Sequence, residues 1–293
     1  MRNKQRPMDK VALITGATNG IGLATAKALA QMGVELFLVS RNLEKGKKVS
    51  DEIKSETGNQ RLHLLMGDLS SLASVRQIAQ SFLSYNRPLH ILLNNAGVFN
   101  LKRRITIDGH EEMFAVNHIA HFLLTNLLLN RIKACGPSRI INVASGAHML
   151  VNQINFADLN FEKGFRPLKV YSHSKLANLL FTHELARRLE ASTVTVNSVD
   201  PGEVATGLGT QNSFLGRVIS RLMKPFLQSP EKGARTSVYV CTSPNVKDIS
   251  GRNFRGCKEK KPKPWATNPE ASKQLWEISQ KWVEVDGKEI CNN

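Results

Sequence analysis

Short runs of apolar residues alternate along the chain with longer stretches in which apolar positions recur at helical spacing. The short runs are rich in branched aliphatic residues and end at turn residues, which is typical of buried strands. The predicted strands are Val11–Ile14, Val34–Ser40, Arg61–Met66, Leu89–Leu93, Arg139–Val143, Thr193–Val199 and a short last one within Ile249–Phe254. The stretches between them predict helices, including a long one from Gly109 to Ile132 and one that carries Tyr171.

Strands that alternate with helices predict an α/β fold, because parallel neighbours need a helical crossover between them. We therefore expect a Rossmann-type, doubly wound parallel sheet of about seven strands with helices on both faces. The chain has 293 residues, of which 41% are hydrophobic, and this suffices for one large core. A single domain over 1–293 is the simplest organisation, with ligands at the carboxyl ends of the strands.

One segment, 203–228, departs from the alternation of strands and helices. It contains apolar residues at helical spacing, namely Phe214, Leu215, Val218, Ile219, Leu222 and Phe226. The cations Arg217, Arg221 and Lys224 lie between them. This pattern predicts a basic amphipathic helix. We interpret the segment as an insertion that closes over an apolar substrate. A contact of 214–227 with a membrane surface and a helix that covers the core are the open alternatives.

The charge balance is strongly basic, with 40 lysines and arginines against 24 acidic residues and a net charge of +16. The cations are spread along the whole chain, including Lys258–Pro264, which predicts a solvated loop. No zinc-finger spacing, RNP-like aromatic motif or arginine-rich arm accompanies them. We therefore expect no nucleic-acid partner.

Cysteine and histidine positions favour a protein without a metal or a disulfide framework. The four cysteines form no C-x-x-C pair, and His118 and His121 lack an evident third ligand, so no metal site is predicted. Met1–Lys10 has no signal-peptide apolar stretch, and the most apolar run, Phe122–Leu129, is too short to span a bilayer. These features predict a cytoplasmic protein, with peripheral membrane contact as the alternative.

The first predicted strand leads directly into Thr15–Gly22, whose sequence is T-G-A-T-N-G-I-G, and an alanine-rich helical stretch follows. Strand, glycine turn and helix in this order are typical of a dinucleotide-binding site. Gly16 allows a tight turn, Gly20 lets the backbone approach a pyrophosphate, and Gly22 lets the helix pack on the strand. The N–H groups at the helix start face the anion. The predicted contacts are Gly16, Thr18, Asn19, Gly20, Ile21 and Gly22.

The carboxyl end of the second strand indicates which dinucleotide binds. A carboxylate there would hold the adenosine ribose 2′-hydroxyl of NAD(H). The chain instead has Ser40, Arg41 and Asn42 at this end, while Glu35 lies at the opposite end of the strand. A guanidinium suits the 2′-phosphate of NADP(H), so Arg41, with weaker support from Lys45, predicts NADP(H).

Polar residues and glycines also follow the other predicted strands. Asp68 and Leu69 come after the third strand and Asn94–Gly97 after the fourth, while Ser145 lies beyond the fifth and Pro201-Gly202 after the sixth. Because the carboxyl ends of parallel strands meet at one edge, we expect these residues to converge on one crevice.

Tyr171 and Lys175 lie four residues apart in a helical stretch, so they share one helix face. A nearby ammonium favours phenolate, and we expect the pKa of Tyr171 to fall from about 10 towards the working pH, as suits a general acid–base group. The spacing alone fits equally a surface tyrosine beside a solvated lysine. The other motifs favour the catalytic interpretation.

Together these motifs resemble the short-chain dehydrogenase/reductase family from about Asp9 to about Val285. They occur in the family's order: Thr15–Gly22, Asp68-Leu69, Asn94–Gly97, Ser145 with Tyr171 and Lys175, and Pro201-Gly202. Within the family, three stretches resemble the retinol dehydrogenase branch, which also includes the WW-domain oxidoreductases. These stretches are Asn117–Thr125, Tyr171–Leu176 and Ser250–Phe254.

The resemblance implies a catalytic tetrad of Asn117, Ser145, Tyr171 and Lys175. Tyr171 would exchange a proton with the substrate oxygen, and Ser145 would hydrogen-bond the same oxygen. Lys175 would bind the nicotinamide ribose and lower the tyrosine pKa, and Asn117 would hold a water that relays protons to Lys175. Asp68 and Leu69 would flank the adenine. The remaining implied cofactor contacts are Asn95, Ala96, Gly97, Tyr171, Lys175, Pro201 and Gly202.

We therefore predict an NADP(H)-dependent oxidoreductase that interconverts a hydrophobic aldehyde or ketone and its alcohol. A retinoid-like compound is the expected substrate. A steroid, prenyl or other carbonyl substrate on the same fold is one alternative. A protein in which NADP(H) occupancy controls an interaction partner is an alternative of another class. Family members commonly pair through the helices that hold Asn117 and Tyr171, so a homodimer is a candidate assembly.

Overall fold

The computed structural model describes residues 9–202 and 229–284. Within them the strands are β1 Val11–Ile14, β2 Glu35–Ser40, β3 Leu62–Met66, β4 Ile91–Asn94, β5 Ser138–Val143, β6 Val194–Asp200, β7 Asn253–Arg255 and β8 Lys258–Glu259. The helices are α1 Gly20–Gln31, α2 Leu43–Thr57, α3 Leu72–Ser84, α4 Glu112–Phe114, α5 Ala120–Lys133, α6 Pro167–Arg188, α7 Pro230–Thr242 and α8 Pro269–Val283. The predicted insertion 203–228 lies outside the described residues.

The strands form one sheet in the order β3-β2-β1-β4-β5-β6-β7-β8. Neighbouring strands are parallel except for the antiparallel pair of β7 and β8. The direction of winding reverses between β1 and β4, the point where ligands bind in sheets of this kind. The prediction of a doubly wound parallel sheet is thus confirmed.

Helices cover both faces of the sheet, and this explains the continuous apolar runs of the strands. In β1, Val11 and Leu13 belong to one core, while Ala12 and Ile14 belong to the other. The first core lies between the sheet and α3, α5, α6 and α8, and the second between the sheet and α1, α2 and α7.

Within residues 9–202 and 229–284 the sheet has eight strands rather than the predicted number of about seven, because part of the expected loop Lys258–Pro264 forms β8. Phe254 and Arg255 of β7 pair with β8 across a turn in which Gly256 and Cys257 have φ of 61° and 58°. Cysteine seldom adopts this left-handed conformation. The hairpin therefore carries no clear turn signal in the sequence.

Helix α8, the last one among the described residues, covers part of α5 and α6. Its Trp276 packs edge-on against Phe122 of α5, with ring centroids 4.9 Å apart, and lies 6.0 Å from Phe181 of α6. The guanidinium of Arg188 lies 4.1 Å above the same indole ring. The homodimer suggested for this face stays a prediction. No helix in the described part of the chain has the length and apolar character needed to cross a bilayer.

Candidate active site

A cavity of about 660 Å³ lies at the carboxyl edge of the sheet. All the residues predicted as cofactor contacts line it: Gly16, Thr18, Asn19, Gly20, Ile21, Gly22, Arg41, Asp68, Leu69, Asn95, Ala96, Gly97, Tyr171, Lys175, Pro201 and Gly202. Ser145 lines it too, whereas Asn117 does not. Other lining residues were missed because they are neighbours of the motifs without a signal of their own: Val39, Ser40, Asn42, Gly67, Val98, Val116, Val143 and Ala144.

The glycine turn is held against β4 by contacts that only glycine permits. A Cβ atom at Gly22 would lie 2.2 Å from the carbonyl oxygen of Gly16 and 2.4 Å from Nδ2 of Asn95. Asn95 Nδ2 in turn donates to the carbonyls of Thr15, at 2.9 Å, and Gly16, at 3.2 Å. Helix α1 begins here with Asn19 as its cap, whose side chain accepts from Gly20 N at 2.9 Å. The turn therefore presents the start of α1 to the cavity, as a pyrophosphate requires.

The end of the cavity next to β2 carries a cation where NAD-binding sheets carry an acid. Arg41 follows β2 directly and lines the cavity. The acid of this strand, Glu35, lies at its other end, where its carboxylate accepts from Arg87 Nε at 3.2 Å and contacts His63 Nε2 at 3.0 Å. Asp68 follows β3, the strand next to β2, and its Oδ1 accepts from Ser70 N at 2.9 Å.

The other end of the cavity brings together Ser145, Tyr171 and Lys175, which are the predicted catalytic residues that line it. Ser145 follows β5, and Tyr171 and Lys175 share one face of α6. Lys175 is buried, with 3% of its surface exposed, and its Nζ donates to the carbonyl of Val143 at 3.1 Å and lies 5.6 Å from the Tyr171 ring centroid. Gly97 lies next to the ammonium, since a Cβ added there would be in ordinary van der Waals contact with this Nζ, at 3.5 Å.

Comparisons with known proteins agree with this geometry. The model of the short chain dehydrogenase family matches residues 10–213, well over half of the chain. The chain belongs to the short-chain dehydrogenase family.

Two curated relatives are similar over most of their length. Retinol dehydrogenase 11 from Homo sapiens is 44% identical over 270 residues, which are 92% of this chain and 84% of the relative. Retinol dehydrogenase 12 from Mus musculus is 42% identical over 270 residues, which are 92% of this chain and 85% of that relative. The short-chain dehydrogenase described here is thus an oxidoreductase of the retinol dehydrogenase type that uses a nicotinamide cofactor and acts on CH–OH groups of a small molecule.

A solved structure also resembles the whole chain. The crystal structure of an uncharacterized protein from Mycobacterium Paratuberculosis matches with a TM-score of 0.77 at 28% identity and covers 98% of both chains. The similarity therefore extends over the sheet and both layers of helices.

The pKa of Tyr171 in this short-chain dehydrogenase differs from the sequence prediction. We expected Lys175 to lower it, but burial raises the pKa of Tyr171 to about 12, although a hydrogen bond with Ser145 lowers it in part. Burial also lowers the pKa of Lys175 to about 8. The prediction was wrong because both groups lie in surroundings of low polarity, where removal from water outweighs the effect of a cation directed towards Val143. The phenol is consequently protonated at neutral pH.

Asn117 lies behind the cavity, in the π-helical turn Ala115–Ile119 that joins α4 to α5. Its Oδ1 accepts from Val98 N at 2.7 Å, and its Nδ2 donates to Val98 O at 3.1 Å and to Ser174 Oγ at 2.9 Å. The side-chain amide thus ties the strand end after β4 to the π turn and to α6. Its main-chain carbonyl is a separate group, bound to Nδ1 of His121 at 3.1 Å.

A buried polar layer beneath the cavity was missed from the sequence. Nδ2 of Asn94 donates to Thr125 Oγ1 at 2.9 Å and to Asn142 Oδ1 at 2.8 Å, and Asn142 Nδ2 donates to Thr182 Oγ1 at 3.0 Å. These bonds connect β4 and β5 to α5 and α6. In the sequence these residues stand out only as polar positions within apolar runs. Such positions indicate that a buried polar group has a partner, but not which side chain that partner is.

The two neighbouring histidines have different partners. Nε2 of His118 lies 2.9 Å from Ser279 Oγ on α8, whereas Nε2 of His121 lies 2.9 Å from Thr15 Oγ1 after β1. Among the described residues, no cluster of three or more possible metal ligands occurs.

Proposed function

We propose that the protein is an NADP(H)-dependent oxidoreductase that interconverts a hydrophobic aldehyde or ketone and its alcohol, with a retinoid as the first substrate to test. The observation that carries the proposal is one crevice that has Arg41 at its adenosine end and Ser145, Tyr171 and Lys175 at its catalytic end. The names of the relatives, retinol dehydrogenases 11 and 12, support the substrate class.

The residues of the crevice fit the cofactor at each of its parts. The start of α1 suits the pyrophosphate, and the guanidinium of Arg41 suits a 2′-phosphate, which it can bind through two parallel hydrogen bonds. Asp68 and Leu69 would flank the adenine, and Lys175 Nζ would hydrogen-bond the nicotinamide ribose. Pro201 and Gly202 complete the wall at the end of β6. When bound, NADP(H) supplies the hydride.

The protein's own part in the reduction is positioning and proton transfer. Tyr171 carries its proton at neutral pH, because burial raises the pKa of its phenol, and it donates this proton to the substrate oxygen. Ser145 hydrogen-bonds the same oxygen and so fixes the carbonyl against the phenol. Lys175, with its pKa lowered to about 8, is charged at pH 7 and stabilises the phenolate that remains. In the oxidative direction the same groups act in reverse.

The surroundings of the phenol favour an apolar substrate. The ring of Phe99 lies edge-on to Tyr171, with centroids 5.5 Å apart. Tyr171 and Phe165 pack against a small apolar cluster that includes Phe161. A carbonyl compound with a hydrocarbon body can bury that body here while its oxygen reaches the polar groups.

The test is the oxidation of NADPH and NADH with a panel of carbonyl compounds that contains all-trans-retinal, medium-chain aldehydes and a steroid ketone. We expect turnover of retinal with NADPH preferred. A preference for NADH would contradict the role of Arg41. NADPH binding without turnover of any carbonyl would contradict the assignment of the catalytic end.

A further inference from the structure

His121 connects the two ends of the site through its ring. It is buried, with 1% of its surface exposed, in the first turn of α5. Its Nε2 lies 2.9 Å from Oγ1 of Thr15, the residue after β1, and its Nδ1 lies 3.1 Å from the main-chain oxygen of Asn117. One imidazole therefore spans from the glycine turn to the π turn.

The bonding partners determine the tautomer of this ring. The main-chain oxygen of Asn117 can only accept, so Nδ1 of His121 carries the hydrogen and Nε2 is the acceptor. Thr15 Oγ1 already accepts from Asn95 N at 2.9 Å and from Ala96 N at 3.0 Å. Its own hydrogen then goes to His121 Nε2 at 2.9 Å rather than to Leu93 O, at the longer distance of 3.4 Å. Each donor has one acceptor.

A second proton on His121 does not fit this arrangement. An N–H at Nε2 would face Thr15 Oγ1, whose two lone pairs are used by Asn95 and Ala96. Burial, followed by the charge of Lys175, lowers the pKa of His121 to about 4. His121 therefore does not carry protons in the reaction, and its contribution is geometric.

The hydroxyl of Thr15 and the carbonyl of Asn117, which His121 bonds, are both close to residues that line the cavity. Through Thr15 it fixes the N–H groups of Asn95 and Ala96, which line the cavity. Through the carbonyl of Asn117 it fixes the π turn, and the Asn117 side chain in this turn donates from Nδ2 to Ser174 Oγ at 2.9 Å, on α6 directly before Lys175. A displaced π turn would therefore disturb the hydrogen bond that holds α6 beside Lys175.

We propose that His121 is a positioning residue with two separable links, in which Nε2 sets the cofactor-binding strand end through Thr15 and Nδ1 sets Lys175 through the π turn at Asn117. The inference rests on the proposed function, since it assigns a role relative to NADP(H) and the Tyr171 chemistry. It predicts that loss of the first link weakens cofactor binding and that loss of the second slows turnover.

Two substitutions separate the links. In His121→Asn the amide nitrogen takes the place of Nδ1 and keeps the bond to Asn117, while the bond to Thr15 is lost. In His121→Gln the amide oxygen takes the place of Nε2 and keeps the bond to Thr15, while the bond to Asn117 is lost. We expect KM for NADPH to rise about fivefold in His121→Asn with kcat nearly unchanged, and kcat to fall about tenfold in His121→Gln with KM nearly unchanged.

His118 provides the matched control. It is buried one turn earlier, its neutral ring bonds Ser279 of α8, and it does not line the cavity. His118→Asn and His118→Gln should lower Tm without separating KM from kcat. If the His121 variants do not fold, Thr15→Val removes the first link from its other end, together with the acceptor of Asn95 N and Ala96 N, and should raise KM for NADPH without lowering kcat.

The inference is contradicted if both His121 variants change KM and kcat in parallel, if neither changes them, or if Thr15→Val leaves KM unchanged. Tyr171→Phe, measured beside them, separates this result from the proposed function. An inactive Tyr171→Phe with His121 variants like the wild type refutes only the positioning role. A fully active Tyr171→Phe refutes the proposed function itself.

Discussion

The two ends of the cavity are built by different means. At the glycine turn the critical contacts are between backbone atoms, as in the distance of 2.2 Å that a Cβ at Gly22 would have from Gly16 O. At the catalytic end the contacts are between buried side chains, among them Lys175, Asn117 and Ser174, which have less than 4% of their surface exposed. The close backbone contacts at the glycine turn leave no space for an added atom. The arrangement of the buried side chains depends instead on each hydrogen bond and on the protonation state of each group.

The difference predicts how each end responds to change. Substitutions at the catalytic end should slow the reaction while NADPH still binds. Substitutions at the cofactor end should weaken NADPH binding while the catalytic groups stay in place. The following variants test this separation.

Tyr171→Phe should have the largest effect, because it removes the proton donor and keeps the ring. We expect kcat to fall by about a hundredfold to ten-thousandfold, the usual contribution of general acid–base catalysis, with the Kd for NADPH nearly unchanged. Steady-state kinetics and NADPH fluorescence titration measure the two quantities. Tyr85→Phe, at a tyrosine that packs on Phe37, should behave as the wild type. A Tyr171→Phe variant that has lost NADPH binding would break the separation.

Gly22→Ala should act at the other end. The added Cβ meets Gly16 O and Asn95 Nδ2, so α1 must shift away from the turn, at a cost of about 2 kcal/mol in the free energy of unfolding. KM for NADPH should rise by about tenfold or more. Gly58→Ala is the control, since Gly58 has φ of 73° and no heavy atom within 4 Å of its Cβ position. It should lower stability by about 1 kcal/mol without changing KM. Equal KM values in the two variants would contradict the backbone argument.

Arg41→Ala should affect the choice of cofactor and little else. Loss of a charge-assisted bond to the 2′-phosphate corresponds to a rise in KM for NADPH of about tenfold to a hundredfold, while KM for NADH stays nearly constant. The measurement is the ratio of kcat/KM for the two cofactors. Lys47→Ala removes an exposed cation of α2 that does not line the cavity and should leave the ratio unchanged. The same loss for both cofactors would show that Arg41 does not distinguish them.

Glu111→Gln should have the smallest effect and should depend on pH. Burial raises the pKa of the Glu111 carboxyl to about 7, and its Oε2 accepts from Phe114 N at 2.8 Å at the start of α4. The pKa of Glu111 in the folded protein lies above its ordinary value of 4.5. The protonated carboxyl therefore contributes fully to the free energy of unfolding below pH 4.5, and this contribution is lost as pH rises through 7. Glutamine stays neutral and keeps the acceptor.

The Tm of Glu111→Gln relative to wild type should therefore increase between pH 5 and pH 8. Glu112→Gln is the control, because Glu112 is the next residue in the chain but is only half-buried and lies beside Arg104. A Tm difference for Glu111→Gln that is the same at both pH values would contradict a protonated carboxyl under the π turn.

The glycine turn was the part of the cavity whose structure the sequence could predict in detail. Thr15–Gly22 follows a strand and precedes a helix, and each of its glycines has a local backbone reason that does not depend on distant residues. The doubly wound parallel sheet and the position of Arg41 after the second strand followed from the alternation of strands and helices. These features are local in sequence, so a pattern records them.

The catalytic end was only partly predictable. The spacing of Tyr171 and Lys175 placed them on one face of α6, but the direction of the tyrosine pKa was wrong because it depends on burial by distant elements. The link from Thr15 to His121 spans 106 positions, and no periodicity records such a contact. The hairpin of β7 and β8 was missed for a local reason, the left-handed conformation of Cys257.

Transfer of deuterium from NADPH labelled at C4 of the nicotinamide to all-trans-retinal tests the central claim most directly. If the crevice holds the cofactor and the carbonyl together for hydride transfer, one C4 epimer should deliver one deuterium to the alcohol carbon, the other none, and Tyr171→Phe should slow this transfer without changing the label. Mass spectrometry of the alcohol reads the result. Hydrogen from solvent at that carbon, or equal transfer from both epimers, would contradict the account.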